Sequence, residues 1–157
     1  MAKVLQAAGF GVAQDFGDTK YYICANSRVV RNPEATAQIT YRTAGTLSNL
    51  WVRVRTNSIS NGSTTIRTRV NGVNGAQSVS FAASTTGTAE DTTNTDSIAA
   101  ADEVNYSSVT GGTTGSIIYD YFKDKLVYFH EPELLGTAQT VWGNRKWLIE
   151  KDPVFLV

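Results

Sequence analysis

Between residues 37 and 110 apolar side chains recur at every second position, the period of a half-buried β-strand and not of a helix. Leu50, Val52 and Val54 fall on one face, while Trp51, Arg53 and Arg55 fall on the other. Ile66, Thr68 and Val70 oppose Arg67 and Arg69 in the same way, and Val79 shares a face with Phe81. Asn61-Gly62, Asn71-Gly72 and Asn74-Gly75 supply residues that accept the positive φ of tight turns. Residue usage agrees, with Val, Ile and Thr at 43 of the 157 positions against 8 for Leu. β-branched side chains fit a pleated surface and lose freedom in a helix. Many short strands joined by Gly/Asn turns predict an all-β antiparallel sandwich or barrel. The length suits a single domain spanning 1–157, with its own core.

Outside that zone, and in one stretch within it, the pattern is looser. Residues 1–36 hold two short apolar stretches, 4–10 and 20–25, and read as an N-terminal arm or extra strands. Residues 83–96 are almost wholly small, hydroxylated or acidic and read as a long exposed loop. Their Glu90, Asp91 and Asp96, like Asp15 and Asp18, read as solvated charge, since neither spacing matches a calcium-binding loop. Strand pattern resumes at 97–98 and 104–109, and 117–129 predicts one long strand or two short ones about Lys123-Asp124-Lys125. Short helical pieces are expected at 33–37 and 132–135. The apolar tail 152–157 is expected to be the last strand of its own sandwich in preference to an addition to a neighbour's sheet.

The chemistry available to a catalyst is thin. His130 is the one histidine, so a triad or a multi-histidine metal site would depend on it alone. Cys24, with apolar neighbours, reads as a small core residue. No phosphate-binding loop or complete dinucleotide fingerprint occurs. The expectation is a non-enzymatic protein without cofactor or metal. Fourteen basic residues balance fourteen acidic ones, which argues against a nucleic-acid partner. No apolar run approaches the ~18 residues of a membrane span, and no cleaved signal peptide is expected at the start.

Arg53, Arg55, Arg67 and Arg69 stand out in so weakly charged a chain. Paired as a hairpin about Asn61, the two strands would set Arg53 opposite Arg69 and Arg55 opposite Arg67, a mildly destabilising arrangement. In a sandwich whose consecutive strands lie in opposite sheets, the ladder instead splits into two stripes. These arginines, with Trp51, are the candidate protein interface, because arginine forms bidentate pairs with carboxylates. The competing reading is a solvated face with arginine stems covering the sheet.

The segment Ala44-Gly45-Thr46-Leu47-Ser48-Asn49-Leu50-Trp51-Val52-Arg53-Val54, then Thr65-Ile66-Arg67-Thr68-Arg69-Val70-Asn71-Gly72, then Ile98-Ala99-Ala100-Ala101-Asp102-Glu103-Val104, resembles a jelly-roll module. That module occurs in tailed-phage virion proteins and in bacterial surface proteins of tumour-necrosis-factor-like shape. Ala101 departs from the pattern, which has glycine there. The resemblance implies a structural protein on the capsid exterior of a virion: a decoration (cement) protein, trimeric, bound to the major capsid protein or another virion protein. It carries over no catalytic residues. The alternative is a receptor- or carbohydrate-binding module, in which Trp51, Trp142 and Trp147 stack on sugar rings.

Overall fold

The structure is a computed structural model and describes residues 3–9, 11–24 and 30–128. Among the described residues eleven strands form two antiparallel sheets: β1 (Lys3–Gly9), β2 (Ala13–Asp15), β3 (Thr19–Tyr22), β4 (Val30–Arg31), β5 (Ile39–Thr40), β6 (Gly45–Asn57), β7 (Thr64–Val70), β8 (Val73–Phe81), β9 (Gly87–Ile98), β10 (Glu103–Val109) and β11 (Ser116–Tyr128). One sheet runs β1-β11-β6-β9, with β2 also on β11; the other runs β4-β3-β10-β7-β8, with β5 also on β10. β1 and β2 pair with successive stretches of β11, so they act as one interrupted strand. The chain therefore alternates between sheets as a jelly roll does, and the fold is a β-sandwich of that order.

The alternation read from the sequence sets what lies between the sheets. Leu50, Val52 and Val54 of β6, Ile66 of β7 and Val79 and Phe81 of β8 are buried. β11 adds Ile117, Tyr119, Phe122 and Leu126. Phe122 is the hub of an aromatic cluster, edge-on to Tyr22, Tyr119 and Tyr106 at centroid distances of 5.0, 4.9 and 5.6 Å. Such edge contacts add to area burial. Gln14 of β2 fastens the N-terminal strands to this core: its amide donates to the Ser108 carbonyl (2.9 Å) and accepts from the Tyr22 hydroxyl (3.0 Å).

Three expectations are corrected. Residues 87–96 are not an exposed loop but belong, with the expected strand residues 97–98, to strand β9, paired along β6. Asp91 and Asp96 are not solvated charges: they are 8% and 7% exposed and point across the sandwich to β8. Asn74-Gly75 is not a turn but lies inside β8. The corrections share one cause. β8 is the edge of one sheet and β9 the edge of the other, and an unpaired edge leaves backbone N–H groups without partners. Asp96 accepts from the N–H groups of Ala76 and Gln77, from the Gln77 amide and from the Thr68 hydroxyl. Asp91 accepts from the Ser78 N–H (2.9 Å). Gly75 makes room for this latch, because a Cβ there would stand 2.5 Å from an Asp96 carboxylate oxygen.

Turn chemistry holds elsewhere. Asn71 (φ 52°) and Gly72 (φ 75°) form the tight β7–β8 hairpin. Ala101 takes φ 75° in the turn before β10. This is the left-handed conformation that glycine adopts freely and a Cβ disfavours. The position where the resembled pattern has glycine therefore keeps the backbone of glycine with an alanine on it. We expect Ala101→Gly to stabilise the chain by about 1 kcal/mol in denaturant unfolding. An unchanged or lowered midpoint would contradict the strain.

Candidate binding face

Three register shifts between β6 and β11 shape the outer surface of the β1-β11-β6-β9 sheet. They leave an extra residue in β6 at Arg55 and beside Asn49 (φ 61°), and one in β11 at Asp120. A bulge turns neighbouring side chains to the same face. Here Asp120 and Tyr121 both leave the core although they are adjacent, while Tyr119 and Phe122 on either side are buried.

The result is an aromatic pair on the outer face of this sheet. Trp51 stacks on Tyr121 at 4.8 Å between centroids with 29° between planes, and both rings are half-buried. The Lys123 ammonium lies 4.8 Å from the Trp51 centroid and 4.3 Å from that of Tyr121. It thus forms a near-equilateral triangle with the two rings, a cation–π contact to both. Around the pair stand Arg53, Arg55 and Lys125, all exposed. Asn49 donates to Glu90 on the β9 side (3.0 Å).

The arginine ladder splits between the sheets, since β6 pairs with β9 and β11 whereas β7 pairs with β8 and β10. Arg53 is therefore not opposite Arg69. Most of the four already hold a carboxylate. Arg53 (3.1 Å) and Arg55 (2.6 Å) share Asp120. Arg69 makes a bidentate pair with Glu34, bonds Asn74 and the Gly72 carbonyl, and lies 5.5 Å from the Tyr21 ring centroid. Its side chain is only 14% exposed. Arg67 makes no ion pair among the described residues. Surface pairs such as those to Asp120 contribute little to stability, but they do occupy the arginines.

Sequence reasoning placed Trp51 outward and missed Tyr121, Lys123 and Asp120 as its neighbours. The signal was present only in part: Tyr121, Lys123 and Lys125 alternate, but their register against β6 depends on the bulges. His130, Trp142, Trp147, the helical piece at 132–135 and the tail 152–157 lie outside the described residues. Cys24 is 3% exposed, and burial pushes its thiol well above the usual range, so it is not a thiolate nucleophile. No group of three or more metal-ligating side chains gathers among the described residues.

No protein-family model matches the chain, and no curated protein matches it. Among solved structures it is similar to the CBM36-1 domain of a multidomain xylanase from the hindgut metagenome of Trinervitermes trinervoides. The two share 9% identity over 83% of this chain and 100% of that one, with a TM-score of 0.44. It is also similar to a family 35 carbohydrate binding module from Clostridium thermocellum, at 16% identity over 82% and 100% of the two chains and a TM-score of 0.42. Scores this low say nothing about ligand or role, and the fold stands on the chain's own two sheets.

Proposed function

We propose that this chain is a non-catalytic recognition module that binds saccharide on the outer face of the β1-β11-β6-β9 sheet. The carrying observation is the Trp51–Tyr121 pair. Two stacked aromatic side chains left half-exposed on a sheet face, beside Ser, Asn and charged residues, suit the apolar faces of sugar rings, with polar neighbours to orient hydroxyls. The arginines favour this reading over docking on a neighbour's carboxylates, because Arg53, Arg55 and Arg69 already hold carboxylates within the chain. Trp51→Ala should lower affinity for a bound glycan by about tenfold or more, a loss of ~1.4 kcal/mol or more of the kind seen when a central aromatic anchor is truncated. Screening wild type and variant on a glycan array checks this. Equal binding by both would remove the face from the account.

A second reading rests on the resemblance of 44–109 to virion jelly-roll modules, whose positive-φ turn this chain keeps at Ala101. It makes the protein a trimeric decoration protein on the capsid exterior, bound to the major capsid protein. Sedimentation of the isolated protein and occupancy on particles test it; a monomer that leaves particles bare would end it.

A further inference from the structure

We infer that the saccharide recognised on this face is acidic, a chain bearing several carboxylates, an inference that rests on the binding reading above. The charged side chains in register with the aromatic pair are Arg53, Glu90 and Lys123, with Asp120 adjacent and Arg55 and Lys125 farther along β6 and β11. Asp120 is taken up by Arg53 and Arg55, and Glu90 accepts from Asn49. With both arginines held by Asp120, the cations left for a ligand beside the pair are Lys123 and Lys125. Lys123 and Lys125 make no ion pair among the described residues.

Their placement is specific. Both extend from β11 on the outer face, with the buried Asp124 between them turned inward. Side chains two residues apart on a strand stand about 7 Å apart, so two ammonium groups are spaced along β11 beside the rings. The Lys123 ammonium is held against both rings, where a sugar resting on the aromatics would present its substituents. A lysine is a compact point charge that accepts a carboxylate from many angles. Spaced along a strand, two of them suit a repeating anion better than a single acidic sugar. The rings supply what a plain polyanion site lacks, a preference for saccharide over other acidic polymers.

The test uses polygalacturonate, its fully methyl-esterified form with the same backbone and no charge, and polyglutamate, by affinity electrophoresis or calorimetry. Wild type should bind polygalacturonate at least about tenfold more tightly than the ester at low salt. The gap should close as salt screens the charges toward molar ionic strength. Lys123→Gln/Lys125→Gln should lose the preference for the acid form. Equal binding of acid and ester overturns this inference and leaves the saccharide reading standing. Polyglutamate competing as well as polygalacturonate overturns it in favour of an acidic polypeptide partner. Binding to none of the three, nor to any neutral glycan, overturns both.

Discussion

Asp96→Ala is expected to destabilise the chain by about 3–5 kcal/mol, enough to unfold much of a marginal domain. Its carboxylate is a shared acceptor for four donors on two strands: the Ala76 and Gln77 N–H groups, the Gln77 amide and the Thr68 hydroxyl. Thr68 and Gln77 are fully buried, and removing the acceptor leaves their donors without water to replace it. Gly75→Ala attacks the same latch from the other side, and its Cβ would force the pinned carboxylate to move at a cost of about 1–3 kcal/mol. The two changes should be less than additive, since the added methyl fills space that the lost carboxylate vacates. Chemical denaturation of both variants and the double variant checks this. Full additivity would mean that the two residues do not share a site.

Asp124→Asn should do the opposite at neutral pH. Asp124 is fully buried in β11, and among the described residues neither of its oxygens has a well-formed hydrogen bond, Tyr106 and Gln77 making only weak ones. Burial drives its carboxyl well above the usual range; the nearby Tyr106 and Gln77 pull the other way, and the negative charges of Asp96 and Asp91 add to the rise. An acid raised in the folded chain contributes its stability fully below its unfolded value near 4 and loses it as pH rises toward the folded value. The amide removes that loss, so the variant should gain roughly 1–3 kcal/mol at pH 7. The gain should vanish below about pH 4, where the wild-type carboxyl is protonated in both states.

Asp91 acts at the acid end. Burial alone would raise its carboxyl, but hydrogen bonds from Asn94, Ser78 and Thr93 outweigh this and hold it at about 2. Its contribution is complete above its unfolded value near 4 and disappears as pH falls through about 2. Together the two residues place maximum stability on the acid side of neutrality. A thermal-melting series against pH reads both limbs, and a wild-type optimum at alkaline pH would contradict the assignment.

How far the sequence could be read differs from strand to strand. β6, β7 and the second half of β8 are legible because apolar residues alternate there against polar ones; its first half, with Asn74-Gly75, is not. β9 was not, because Ala89, Asp91, Asp96 and Ile98 are the residues it turns inward, and two of them are carboxylates. Buried acids satisfying a neighbouring edge leave no hydrophobic period to detect. In the binding face, Trp51 was visible by parity alone. Tyr121 and Lys123 were not, since the bulges at Asn49 and Asp120 decide which residues of β11 face out and which residues of β6 they meet. Glu34 as the partner of Arg69 lies 35 residues away in sequence, a distance at which side-chain pairing has no local signature.

The central claim is that recognition takes place on the outer face of the β1-β11-β6-β9 sheet. Titrating the isotope-labelled protein with a glycan selected on the array, and following amide and indole resonances, tests it most directly. Binding on this face should concentrate the shifts at Trp51, Arg53, Tyr121 and Lys123, including the Trp51 indole N–H. Shifts confined to the opposite sheet or to the loops, with Trp51 and Tyr121 unmoved, would contradict it.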